Sequence, residues 1–330
     1  MVRFLTRRVL VGVATIIAIS IIVFGLFFAV PSSPAKVMCG KNCDPASIAA
    51  VETKLGLREP ITTQYTEFMK GIFVGRTYSK GTPFEQHCEA PCFGFSFRNN
   101  ESVSAIVART LPVTMSIVVG AAVLWLLFGV SLGMISALRR GTVFDKLAIG
   151  VSLAGASMQV FFFGLILLFA FVYFTGWLPF PSYTPLTENP AKWASGLILP
   201  WVTLGFLNSA IYARLSRAQM LETLSEDYVR TARAKGLPLR RVYTKHALRA
   251  AITPIVTIAG LDIGASLGGT FITETIFGLR GLGKETVEAV QFLNLPIVVA
   301  TVLLAAVFIV VANLIVDVLY AVIDPRVRLS

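Results

Sequence analysis

Residues 228 to 237 read YVRTARAKGL, a short, basic, alanine-rich stretch. The chain around it has 330 residues, of which 55% are hydrophobic and only 14% charged. A composition so apolar excludes an ordinary soluble globule and indicates a membrane protein. The formal charge of +11 would suggest nucleic acid in a soluble protein, whereas in a membrane protein basic residues also mark the cytoplasmic side. The decapeptide is too polar to cross a bilayer and too short to be a domain, so its meaning must come from its flanks.

Working outward from it, the flanks are apolar runs of about 20 residues or more, long enough to span. Upstream lie Trp193 to Ala213 with Pro200 inside, Leu147 to Trp177, Val113 to Leu138 opened by Pro112, and Val9 to Val30 followed by Pro31. Downstream lie Ala250 to about Thr273, interrupted by Asp262, and Ile297 to Ile323, opened by Pro296 and carrying Asp317. The reading is an all-α polytopic membrane protein with six transmembrane helices and both termini on one side. The first run follows Arg3, Arg7 and Arg8 and precedes Ser33-Pro34-Ala35, as a secretory signal would. Its apolar core exceeds the ~7–15 residues of a signal, so it is expected to stay as an anchor.

Charge in the loops sets the orientation. With the amino terminus inside, the cytoplasmic side holds Arg3, Arg7, Arg8, Arg139, Arg140, Lys146, the basic cluster from Arg214 to Arg249, Arg326 and Arg328. The short outer loops hold only Lys192, Arg280 and Lys284. This asymmetry predicts cytoplasmic termini and accounts for the basic balance without nucleic acid.

The first outer segment, 31–104, is long enough for a small subdomain and contains all four cysteines. Cys39 and Cys43 are spaced CxxxC, as are Cys88 and Cys92. Four thiolates can bind zinc, but zinc knuckles are usually tighter and an outer loop favours disulfides. No metal is expected here, and three pairings remain open.

GLRGLGKET at 278–286 imitates a phosphate-binding loop through Gly278, Gly283 and Lys284. Glu285 stands where a hydroxyl should meet magnesium, and no strand precedes the loop, so the reading is a glycine-rich turn leading into an amphipathic segment, Glu285 to Phe292. His87 and His246 fall on opposite sides, and there is no GxSxG or HExxH. Catalysis in the chain is therefore not expected. Asp262 is deep in its run, and an intramembrane acid marks either a polar pathway or a structural hydrogen bond. Gly260, Gly264 and Gly268 share its helix at spacings of four, which permits close approach within the bundle or at a subunit interface.

YVRTARAKGL itself lies in the longest cytoplasmic loop, 214–249. Ser225 can cap a helix there, Glu226 and Asp227 suit its positive end, Gly236 can stop it and Pro238 follows. Tyr228, Ala232 and Gly236 then form one stripe with Thr231 and Lys235 beside it, while Arg230 and Arg233 point elsewhere. A helix so short is marginal alone, and its small-residue stripe fits a protein groove better than a lipid surface.

This loop resembles the EAA loop of importer permeases of the ABC class, whose pattern is Glu-Ala-Ala, three residues, Gly, and later Ile-x-Leu-Pro. Here Arg230, Thr231 and Ala232 fill the first three places, Gly236 matches the glycine, and His246 to Arg249 fill the last four. YVRTARAKGL with KHALRAAITP, ETIFGLRGLG at 274–283, VDVLYAVIDPRVR at 316–328 and the opening Arg-Phe-Leu-x-Arg-Arg resemble the first permease subunit of dipeptide and oligopeptide importers.

The resemblance implies a type I importer permease fold: 1–30 for the cytoplasmic start and first helix, 31–104 for an external subdomain, and 105–330 for a permease core. It implies a coupling helix in which Tyr228, Arg230, Thr231, Ala232, Arg233, Lys235 and Gly236 meet an ATPase. The implied partners are a second homologous permease, two cytoplasmic ATPase subunits carrying ATP and magnesium, and an external substrate-binding protein. This chain would bind no cofactor. The implied cargo is di- or oligopeptide, with nickel chelates or haem as alternatives in the same subgroup. A stand-alone carrier or channel is the rival from another class, but such carriers usually show repeated halves and several deep charges.

Overall fold

The computed structural model describes residues 2–29, 35, 44–55, 59–78, 85–96 and 98–323. In hydrocarbon a backbone must satisfy its own hydrogen bonds, so the apolar runs become helices. Along the chain these are α1 Val2–Phe24, α4 Val103–Leu138, the pair α5 Val143–Ser157 and α6 Val160–Phe174, α7 Pro190–Ser225, α9 Leu239–Leu267 and α12 Leu295–Ile323. Among the described residues, five single helices and one bent pair are long and apolar enough to span.

The expected third span, Leu147 to Trp177, is not one helix. Met158 and Gln159 adopt extended backbone, ψ 138° and 139°, and α5 and α6 meet at 101°. Proline also sits differently from expectation. Pro112 does not open the second span but lies inside α4, which starts nine residues earlier where Ser102 Oγ accepts from the Ala105 amide at 3.3 Å. The fourth span, α7, outruns its apolar core at the polar end and reaches 36 residues.

The two ends of the bundle follow from contacts. Arg8 on α1 pairs with Asp317 on α12 at 3.2 Å, so the start of α1 and the end of α12 share one end. Asn294, just before α12, donates from Nδ2 to Ser96 Oγ at 2.7 Å, which puts the start of α12 beside the segment preceding α4. Small residues let the helices close. A Cβ on Gly129 of α4 would lie 2.9 Å from Ser209 Cα of α7, and one on Gly133 would lie 2.8 Å from Ser216 Cβ. Between α4, α7 and α9 the core is filled by Trp125, Tyr212, Met220, Ala251 and Ile255.

The outer segment is a small subdomain docked on the bundle. It comprises α2 Pro45–Leu55, α3 Ile61–Val74, an antiparallel pair β1 Arg76–Tyr78 and β2 Gln86–Cys88 with Arg76 opposite Cys88, and a second pair β3 Phe95–Ser96 and β4 Glu101–Ser102. Tyr65 of α3 meets Phe24 of α1 edge-on at 5.4 Å and its hydroxyl lies 2.7 Å from Ser20 Oγ. Cys88 and Cys92 form a disulfide. Cys39 and Cys43 lie outside the described residues.

Candidate functional site

At the end of α7 the chain turns through Glu226 into α8, Asp227–Ala234. The expected cap is corrected: Ser225 Oγ donates back to the Glu222 carbonyl at 2.7 Å, and Glu226 stands at the boundary without a side-chain cap bond. Because Ser225 still has helical neighbours on its own side, its hydroxyl finds a nearer carbonyl than the next helix offers. Asp227 does occupy the first turn, where the dipole favours it.

The far end closes as a Schellman motif. Gly236, at φ 75°, donates to the Arg233 carbonyl at 2.9 Å, and Leu237 donates to the Ala232 carbonyl at 3.4 Å. No atom lies within 4 Å of where a Gly236 Cβ would stand, so backbone conformation, not space, requires glycine.

The expected stripe of Tyr228, Ala232 and Gly236 is also corrected. Val229 and Ala232 are buried with Val242 and pack on Leu224, Leu237 and Tyr243, so Ala232 faces its own chain. The exposed face is instead Asp227, Tyr228, Arg230, Thr231, Arg233, Ala234, Lys235 and Gly236. Arg230 lies 3.5 Å from Asp227, and Arg233 sits over the Tyr243 ring at 5.8 Å. Partial burial, and then the charge of Glu226, push the Tyr228 phenol above its ordinary value. The result is a helix clamped on one side and presenting a basic, hydrogen-bonding face on the other.

Two acids fasten this end of the bundle. Asp145, in the first turn of α5, is 3% exposed and accepts from Arg217 Nε at 2.7 Å, Arg217 Nη2 at 2.9 Å, Ser136 Oγ at 2.5 Å and the Gly141 amide at 2.9 Å. Deeper in, Tyr212 on α7 donates to Asp262 Oδ2 on α9 at 2.6 Å. Asp262 thus makes the structural hydrogen bond that was one of its two readings. The three glycines beside it face α12 of the same chain: a Cβ on Gly264 would lie 2.7 Å from Ala312 Cβ and one on Gly268 would lie 2.9 Å from Ala305 Cβ, while one on Gly260 would collide with Val316. Their close approach is internal to the bundle.

The opposite end is closed by α10 Phe271–Ile276 and α11 Leu282–Gln291, joined by the loop that imitates a phosphate site. Two amides at the start of α11 are already taken by side chains. Glu274, fully buried, accepts from the Lys284 amide at 2.7 Å, from Thr114 Oγ1 at 2.7 Å and from Thr270 Oγ1 at 3.1 Å. Thr114 Oγ1 in turn accepts from the Leu282 amide at 2.7 Å. The chain's own carboxylate occupies the helix N-terminus where a phosphate would bind. A Cβ on Gly281 would strike that carboxylate, so Gly281 is glycine for Glu274.

Asp145 and Glu274 escaped the sequence reading. Both lie at the edges of apolar runs, where hydropathy cannot distinguish a buried acid from a loop acid. The only local signal was Thr142, three residues before Asp145, which caps α5 by accepting from the Asp145 amide at 3.4 Å.

Residues 1–118 match the family described as the N-terminal part of binding-protein-dependent transport system membrane components, and residues 129–329 match the binding-protein-dependent transport system inner membrane component. The dipeptide transport system permease protein DppB of Alkalihalophilus pseudofirmus is 33% identical over 99% of this chain and 100% of its own. The di/tripeptide transport system permease protein DppB of Pseudomonas aeruginosa is 34% identical over 99% of both, and DppB of Escherichia coli K12 is 33% identical over 99% of both. A solved structure of the MetNI methionine ABC transporter in inward-facing form matches with TM-score 0.52 at 13% identity, over 67% of this chain and 97% of that one. That likeness shows the type I permease fold.

Proposed function

Because the chain belongs to the binding-protein-dependent transport system inner membrane components, we propose that it forms half of the pathway of an ATP-driven importer of dipeptides and short oligopeptides. The relatives named as dipeptide and di/tripeptide permeases, aligned over their full length, support the cargo. The observation that carries the mechanism is α8: one face is locked on Val242 and Leu237, the other is exposed and carries a basic excess. In this reading α8 seats in a groove of a cytoplasmic ATPase subunit, with Tyr228, Arg230, Thr231, Arg233, Lys235 and Gly236 as the contact face. The ATPase pair binds ATP and magnesium and supplies the hydrolysis; this chain carries a domain motion to a gate. A second, homologous permease completes the pathway, and an external binding protein delivers the peptide. The excess of Lys and Arg in the loops on one side supports cytoplasmic termini.

The test is isolation and uptake. Purified in mild detergent, the chain is expected to bring down two nucleotide-binding subunits, and its deletion is expected to abolish uptake of labelled dipeptide. Uptake by the lone chain in vesicles without ATP would overturn the reading in favour of a carrier or channel.

A further inference from the structure

We propose that Asp145 and Arg217 are positioning residues that deliver the displacement of α8 to the hairpin of α4 and α5, and through α5 to α6. This rests on the reading of α8 as the ATPase contact.

Asp145 ties together three stretches of chain. Arg217 reaches it from α7 through two nitrogens, Ser136 from α4, and the Gly141 amide from the turn between α4 and α5. Arg217 lies about two turns before the end of α7, and only Glu226 separates α7 from α8. The α4–α7 seam beside it is tight at Gly133. Gly133 abuts Ala213 and Ser216, and Met134, Ala137 and Met220 are buried there. α4 and α7 therefore move together along this seam by packing alone.

The ion pair adds α5. A forked guanidinium on a carboxylate fixes register and angle. A buried ion pair is weak evidence for stability, since desolvation offsets much of the attraction. Its contribution here is geometric: the first turn of α5 must follow the last turns of α7. Beyond the bend at Met158–Gln159, Gly164 of α6 faces Ile276 of α10, the helix that carries Glu274 at the opposite end. A movement entering at α8 thus has a continuous route of packed elements to the outer closure.

The experiment uses the assembled importer in lipid vesicles, with peptides imported per ATP hydrolysed as the readout at matched amounts of complex. Asp145→Asn keeps the shape and removes the charge that Arg217 grips. It is expected to leave both ATPase subunits bound and hydrolysis running, while peptides per ATP fall about tenfold, within the usual range of coupling energies. Arg217→Lys keeps the charge and loses the fork, and a smaller fall in the same ratio is expected. The double variant is expected to be no worse than Asp145→Asn, because both act on one link. A wild-type ratio in Asp145→Asn overturns the proposal, as does a lower uptake explained wholly by less assembled complex. Where Asp145→Asn does not assemble, a wild-type ratio in Arg217→Lys overturns it. Failure of the wild-type chain to retain ATPase subunits would instead sink the reading of α8.

Discussion

Glu274 is fully buried and held by neutral donors: two threonine hydroxyls and the amide of Lys284. Its charge is compensated by the N-terminus of α11, where unpaired amides and the helix dipole favour an anion. Glu274→Ala would leave the Lys284 amide without its acceptor in a buried turn, at a cost of about 1–3 kcal/mol. The expected outcome is a lower unfolding temperature of the purified chain in detergent, with Glu274→Gln falling less. Gly236 offers a sharper contrast. Its positive φ excludes β-branched residues but admits asparagine. Gly236→Val is therefore expected to unwind the end of α8 and reduce ATPase retention, whereas Gly236→Asn keeps the helix. Equal retention in both would show that the Schellman closure does not matter to docking. At this scale the sequence exposed Asp262 and Asp317 because they interrupt apolar runs. It hid Asp145 and Glu274 because each stands where a run has already ended, and their burial comes from partners 72 and 160 residues away.

Among the elements, α7 departs most from its apolar core. Residues 193–213 were legible as a span, but the helix continues to Ser225 because nothing between them breaks it: Arg214, Leu215, Arg217, Ala218, Gln219 and Met220 are good helix formers. Polar composition marks where lipid ends, not where a helix ends. The bend between α5 and α6 was illegible for the opposite reason. Met158 and Gln159 are neither glycine nor proline, so the break is imposed by both halves packing on α7 rather than by local propensity. A rigid end to α7 is testable with Glu222→Pro. Residue 222 is exposed, so the substitution disturbs no packing, but it removes a helix bond and clashes one turn back, costing about 3 kcal/mol. Peptide uptake is expected to fall below roughly a tenth while α8 still retains the ATPase, since the connecting rod alone is damaged. Retention lost in parallel with uptake would mean that the rod also holds α8 in shape.

For the whole molecule, five spans were legible from apolar runs while the expected third is a bent pair, and the contacts Arg8–Asp317 and Asn294–Ser96 agree with the alternation of ends. The small strands and the docking of α3 on α1 were not, because short polar segments take their shape from a surface they fold against. Orientation is checked by single cysteines in a chain whose four native cysteines are serine. Both probe positions are exposed. Thr244→Cys should react with an impermeant reagent only from the cytoplasmic side, and Gln291→Cys only from outside; the reverse pattern would invert the topology. The polar extension of α7 has one further consequence. Residues 214–225 carry the chain about 18 Å past the apolar core, and still about 17 Å with an ordinary tilt. Lipid headgroups occupy only about 5–8 Å on each side of the hydrocarbon. α8 is thereby held clear of the headgroup layer in free water, where a soluble subunit can seat and leave without displacing lipid, and where the charge of the bilayer surface has little say in how firmly it holds.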